Sequence, residues 1–373
     1  MIKTKNNKDG KKPDAAVLTI VFLLLAFGLT MIASAGVILS KTKFEDEYFF
    51  FKHQLLYGVL PGLLILYFVQ KINYKWWKKV AVPFFFLALV TLILVFIPGF
   101  GTSLQGASRW LDLGPISFQP TEIMKLALIL YLAVWIESRG ERLKKFTEGT
   151  VPFALILGLV GFLVMKQPDM GTLGLIVIVA VSMFFVSGVP ITFLASLSVV
   201  GIFLFYLFIR LAPYRMNRIL SFLDPGIDPQ GIGYQINQAL IAVGTGGIFG
   251  LGLGHSRQKF NYLPEPVGDS IFAVTAEELG LIGAGFLVFL FFLLAMRGFK
   301  IARYAPDRFS QLVAIGIVCW IVFQALINIM AIIGLIPLTG IPLPFVSYGS
   351  TSMVFILTAV GILLNISKYS RAE

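Results

Sequence analysis

The sequence predicts an all-α, polytopic membrane fold with about ten transmembrane helices and one large loop between the seventh and the eighth. Three observations carry that expectation. The chain of 373 residues is 57% hydrophobic and only 13% charged, about half the charge of an average soluble domain, and its mean hydropathy is +0.87. Apolar runs of membrane-crossing length recur from end to end, separated by polar breaks. Basic residues also divide unevenly between alternate loops. With the N-terminus in the cytoplasm, segments on that side hold 19 of the 30 lysines and arginines and those on the other side hold 10. That bias is expected for an even number of crossings with both ends cytoplasmic.

Residues 1–14 form a basic polar tail, and residues 367–373 a short basic one. Between them, 15–366 reads as a single membrane domain. Its apolar runs fall at 15–39, 53–70, 80–98, 121–137, 151–166, 171–187, 191–211, 269–296, 310–335 and 349–366. The first has no convincing cleavage site after it and reads as a retained helix. Trp76 and Trp77 beside Lys78 and Lys79 suit an interfacial anchor or a solvated basic loop. The fifth and sixth runs are short, and one broken hairpin is an alternative there.

The outer loops carry most of the unusual sequence. Lys41 to Phe51 holds Glu45, Asp46 and Glu47, and 99–122 holds glycines, Arg109 and Trp110 and reads as a folded loop on the membrane surface. Residues 166–172 read KQPDMGT, and 337–350, with three prolines, read PLTGIPLPFVSYGS. The largest loop, 213–268, contains a helical pattern at 232–241 and then GTGGIFGLGLG at 244–254. Glycines so dense permit close backbone approach or a re-entrant bend.

Composition removes several function classes. A lone cysteine, Cys319, excludes an intrachain disulfide and zinc sites built on cysteine pairs. Two histidines, His53 and His255, exclude a histidine-rich metal site. No dinucleotide fingerprint, phosphate-binding lysine loop or metalloprotease motif occurs. The net charge of +11 follows the loop bias and is weak support for a nucleic-acid partner. A divalent cation held by carboxylates is left open.

Asp269 stands between a glycine-rich polar loop and a membrane-length run, as a general base for a sugar hydroxyl or as a helix cap. Glu277 and Glu278 lie about two turns further in, where a carboxylate is costly. Glu122 and Lys125 are three apart and share a helix face, either neutralising each other or presenting a cation to a carboxylate or pyrophosphate. Asp169 is a second candidate cap. Arg109, Arg215, Arg218, Arg257 and Lys259 could together hold a pyrophosphate or anionic lipid heads.

The stretches GASRWLDLGPISFQPTEIMKLAL, QPDMGT, YQINQALIAVGTGGIFGLGLGHSRQKFNYLPEPVGDSIFAVTAEELGLIG and GIPLPFVSYGSTS resemble the SEDS family of shape, elongation, division and sporulation proteins, in order and along nearly the whole chain. GLGHSRQKFNYLPEP is more similar to the division and sporulation branches (FtsW and SpoVE types) than to the elongation branch (RodA type). The resemblance implies a ten-helix glycosyltransferase of the bacterial cytoplasmic membrane that polymerises lipid II into peptidoglycan strands. It implies work beside a class B penicillin-binding protein and other division proteins, with no nucleic acid and no certain cofactor. It places the family's essential aspartate on Asp269. Its other motifs fall on Glu122 and Lys125, on Asp169 and on Ser347, with Arg109, Arg215 and Lys259 as further substrate-binding or positioning candidates. Three departures stand out: Gly268 and Ser270 flank Asp269 where Thr and Phe are usual, Thr121 replaces Ser, and Ser350 replaces a glycine. A lipid II flippase and a non-enzymatic division scaffold are the rival readings.

Overall fold

In the computed structural model, the described residues are 12–104, 107–112, 117–210, 213–224 and 231–370. The fold is helical. α1 (Ala15–Ala35) begins at an Asp14 cap and gives way at Gly36 to α2 (Val37–Phe44). α3 (Phe49–His53) and α4 (Leu60–Val69) are joined through a π-helical stretch, Gln54–Val59, into one continuous rod. α5 (Tyr74–Leu94) starts at an Asn73 cap.

The loop after α5 folds into a small antiparallel sheet. Its strands, β1 (Gly101–Leu104), β2 (Ala107–Asp112) and β3 (Ser117–Phe118), pair in that order, with Gly101 opposite Leu111 and Leu111 opposite Phe118. Then come α6 (Pro120–Arg139), α7 (Val151–Lys166), α8 (Met170–Val186) and α9 (Ile191–Arg210). The large loop carries two helices, α10 (Pro213–Leu223) and α11 (Ile232–Gly246). α12 (Ile271–Arg303), α13 (Arg308–Ile332) and α14 (Ser350–Tyr369) complete the chain.

Among the described residues, eight helices are long and apolar enough to cross a membrane. α6, which carries charged residues, and the 17-residue α8 occupy the fourth and sixth predicted runs. The centre of the bundle is α13. Its most apolar stretch is 78% buried, against 6% for α9, which has exposed side chains along its length. α13 packs against α6, α8, α12 and α14. Any side chain it directs inward is therefore held on several sides.

The expected continuous crossing at 269–296 needs correction. α12 begins at Ile271, runs on to Arg303 and breaks at Gly280, where φ is 65° and ψ −167°. A short half-helix up to Leu279 precedes the membrane-length part. A break in a membrane helix strips backbone groups of their partners, and these must be found again inside the protein. Here the glycine-rich segment after α11 enters the break. The amides of Leu251 and Gly252 donate to the carbonyls of Glu277 and Glu278, and those of Leu281 and Ile282 donate to Gly247 and Ile248. The approach is close enough that a Cβ on Gly246, Gly250 or Gly280 would lie within 2.5 Å of opposing backbone atoms. At those three positions only glycine fits.

Candidate active site

Asp269 lies in the tight turn leading to the half-helix of α12, outside the span Ile271–Arg303. Its main chain is held residue by residue. The carbonyl of Val267 accepts from the Tyr348 amide at 2.8 Å, that of Gly268 from Ser347 Oγ at 2.7 Å, and that of Asp269 from Asn328 Nδ2 at 2.8 Å. Ser270 Oγ accepts from Gln235 Nε2 of α11 at 3.2 Å. The loop before α14 and Asn328 of α13 thus fix the backbone, with Gln235 of α11 on the Ser270 side chain, and Oδ1 is left for other use. The side chain is partly exposed, yet its Oδ1 is shielded from solvent and has no hydrogen-bond partner. Burial, with the Glu265 carboxylate second, pushes its pKa up to about 6; Arg218 opposes that rise.

The organising segment is Leu338–Pro342. Leu338 O accepts from Arg218 Nη1 at 3.3 Å. Thr339 O lies so close to Gly171 that a Cβ there would meet it at 2.6 Å. Gly340 is exposed, has φ +70°, and faces Asp269: a Cβ at 340 would stand 3.9 Å from Asp269 Oδ2. Ile341 O accepts from Asn328 Nδ2 at 2.8 Å, and Pro342 O from Gln324 Nε2 at 2.9 Å. Gln324 and Asn328 are one turn apart on α13, so both reach the same segment.

Gln324 links this segment to the predicted pair. Lys125 Nζ lies 2.8 Å from Glu122 Oε1 and 3.0 Å from Gln324 Oε1, above the Trp320 ring. Glu122 and Lys125 are almost fully buried, and Glu122 Oε2 has no hydrogen-bond partner. The Lys125 ammonium therefore reaches Asp269 indirectly, through Gln324, the 341–342 backbone and Asn328.

Other sequence candidates have structural partners. Asp169 caps α8, accepting from the Thr172 amide at 3.1 Å. Arg109 donates to Gln167 O at 3.0 Å and Pro168 O at 2.6 Å, fastening the sheet to the turn before Asp169. Ser347 receives the Leu343 amide at 2.7 Å as it donates to Gly268 O, so it closes the loop onto the Asp269 turn. Lys259 is buried against Glu278 at 2.9 Å and Gly254 O at 2.6 Å; among the described residues no bond joins it to Asp269. The Arg215 side chain falls outside the described residues. Gln324, Asn328 and Glu265 are absent from the sequence-derived set. The first two had a signal, as amides inside an apolar run. Glu265 had none beyond lying four residues before Asp269.

Residues 14–372 match the family described as Cell cycle protein, FtsW/RodA/SpoVE. The chain belongs to this family. It is 44% identical to Stage V sporulation protein E of Bacillus subtilis (strain 168), over 96% of this chain and 98% of that one. It is 40% identical to Probable peptidoglycan glycosyltransferase FtsW of Geobacter sp. (strain M18), over 96% and 97%. Among solved structures, it resembles a chain from work described as "Structural coordination of polymerization and crosslinking by a peptidoglycan synthase complex" (TM-score 0.79, 27% identity, 95% and 97% covered). It also resembles the Rod shape determining protein RodA of Thermus thermophilus (TM-score 0.70, 25% identity, 97% and 98% covered). FtsW/RodA/SpoVE membership accords with a polytopic membrane protein whose polar residues gather around a broken helix.

Proposed function

We propose that this chain is a peptidoglycan glycosyltransferase that polymerises lipid II into glycan strands during cell division, with Asp269 as general base. Support comes from relatives named as peptidoglycan glycosyltransferases, at 38–40% identity along nearly the whole chain. The observation that carries the mechanism is a clamped aspartate whose carboxyl keeps an oxygen without a partner beside an exposed glycine. Ten crossings, cytoplasmic termini and a site on the outer face complete the reading. The excess of basic residues on one set of loops supports that orientation.

In the proposed step, the acceptor's sugar hydroxyl loses its proton to the Asp269 carboxylate as its oxygen bonds to the donor's anomeric carbon. The bond from that carbon to the pyrophosphate oxygen breaks, and the polyprenyl pyrophosphate leaves with its electron pair. Attack opposite the leaving group inverts the anomeric centre. A base with a pKa near 6 is ionised at neutral pH yet basic enough to matter. Arg218 is placed to meet charge growing on the leaving group. Among the described residues no group of three or more His, Cys, Asp or Glu could hold a metal ion. Asp169, Arg109 and Ser347 act as positioning residues. Glu122 and Lys125 position the 341–342 backbone through Gln324.

A class B penicillin-binding protein is the proposed partner, supplying transpeptidation, in line with a structural relative described by coordinated polymerisation and crosslinking. The test is lipid II polymerisation by the full chain with a candidate partner. Asp269→Asn should lower polymer yield roughly 10²–10⁴-fold while lipid II translocation in vesicles is unaffected. Polymer yield equal to wild type would overturn the base assignment. Translocation by the wild-type chain that survives Asp269→Asn, with no polymer from either, would point to a flippase.

A further inference from the structure

At the membrane face opposite the sheet, α5 and the α12–α13 turn line an open cleft of about 500 Å³ formed by Tyr74, Lys75, Lys78, Lys79, Asp307 and Phe309. Its single acid is fully engaged. Asp307 accepts from Tyr74 Oη at 2.7 Å and from the Ser310 amide and Oγ, each at 2.8 Å. Lys78 is paired with Glu137 at 2.6 Å. Lys75 and Lys79 are exposed, one turn apart on one face, and among the described residues neither has an acidic partner. Like charges so placed repel each other, and an anion between them removes that repulsion.

The same face continues as Val82, Phe86, Val90 and Ile93, which are 41%, 59%, 50% and 48% exposed. Steps of three and four residues keep them in line with Lys75 and Lys79. The opposite face, with Ala81, Phe85, Ala88 and Leu92, is buried. Trp76, 47% exposed, marks the interfacial level beside the lysines. Two unpaired ammonium groups above an uncovered apolar stripe have the pattern of one amphiphile: a negative head and an acyl chain.

We propose that this face of α5 is a binding site for an anionic phospholipid. Its phosphodiester sits between Lys75 and Lys79 in the cleft, and an acyl chain lies along Val82, Phe86, Val90 and Ile93. Basic pockets between membrane helices suit such heads. The site lies across the membrane from the Asp269 region and is independent of the catalytic reading.

The test is native mass spectrometry of the full chain in neutral detergent, titrated with phosphatidylglycerol or phosphatidylcholine. Wild type should retain phosphatidylglycerol in preference to phosphatidylcholine. At about fivefold per lysine, Lys75→Gln/Lys79→Gln should weaken phosphatidylglycerol roughly thirtyfold and leave phosphatidylcholine unchanged. Lys41→Gln/Lys52→Gln, at lysines paired with Glu47 and Asp46, should change neither. Equal phosphatidylglycerol binding by wild type and the α5 variant would overturn the proposal. So would an equal loss in the control, which would mean attraction to net charge alone. Competition by soluble glycerol phosphate as strong as by the lipid would do the same, since the apolar stripe would then contribute nothing.

Discussion

The acids at the two ends of the half-helix of α12 differ in how fully their oxygens are satisfied. At its C-terminal end, Glu277 accepts from the amides of Arg257 and Gln258 and from Ser256 Oγ. Glu278 accepts from the Ser256 amide, Lys259 Nζ and Ser34 Oγ. At its N-terminal end, Asp269 Oδ1 has no partner, and nearby in the network neither has Glu122 Oε2. A buried charge is tolerated where hydrogen bonds and a counter-ion replace water, and it is costly elsewhere. The first cluster holds the broken helix together. The second keeps unused acceptors, as the proposed role of Asp269 requires, because a carboxyl oxygen that is to meet a substrate cannot already be spent on the protein.

Removing a charge should therefore have opposite effects on stability at the two ends. Lys259→Met leaves Glu278 buried without its cation, and about 3–5 kcal/mol of stability should be lost. Thermal unfolding in detergent will show it as a large fall in Tm. Lys259→Met/Glu278→Gln should recover part of the loss, because the stranded charge is gone. At the other end, Asp269→Asn should stabilise the protein at pH 8. The folded-state pKa is raised, so the favourable contribution of Asp269 is present below the unfolded value near 3.8 and is lost as pH rises through about 6. The substitution relieves up to about 3 kcal/mol at pH 8 and nothing near pH 3. A fall in Tm at pH 8 would contradict the assigned environment of Asp269.

A smaller effect is expected where the two amides of α13 meet the loop. Asn328→Ala removes donors to both Asp269 O and Ile341 O, at about 1–3 kcal/mol for the buried carbonyls it strands. Because it loosens the clamp without touching the carboxyl, it should lower the polymerisation rate more than substrate affinity. Gln324→Ala should act similarly and also release Lys125.

The contrast between the ends was only half visible in the sequence. The length of the apolar runs and the charge bias made the helices legible, and Asp269 stood out as an acid at the start of an apolar run. The break at Gly280 was hidden because Gly280 reads as an ordinary glycine in SIFAVTAEELGLIG, and Glu277 and Glu278 just before it read as acids within a continuing helix. Helices tolerate single glycines at modest cost, so only the pairing with residues 247–252, some thirty positions earlier, reveals it. For the same reason Glu277 and Glu278 looked like intramembrane functional acids, although their partners lie on the returning loop and on α1. Lys259 read as an outer-surface cation, because charge sign is local but pairing is not. The sheet at 101–118 was legible only as a folded loop, since its strands are short and carry no sustained apolar alternation.

The smallest expected effect tests whether the open end is tuned as well as open. Glu265 begins the turn that ends at Asp269: its carbonyl accepts from the amides of Gly268 at 3.0 Å and Ser270 at 3.3 Å. Its carboxylate raises the Asp269 pKa, second only to burial, while Arg218 lowers it. If Asp269 must be ionised to take a proton, activity should rise with pH through about 6 and level off above it. Glu265→Gln keeps the backbone bonds and removes one negative charge. The acid limb of the rate profile should then shift to lower pH by a fraction of a unit, and Arg218→Gln should shift it to higher pH. At pH 8, where Asp269 is ionised in every variant, Glu265→Gln should leave the rate near wild type. A variant with an unmoved limb but a lower plateau would instead make Glu265 a group that touches substrate.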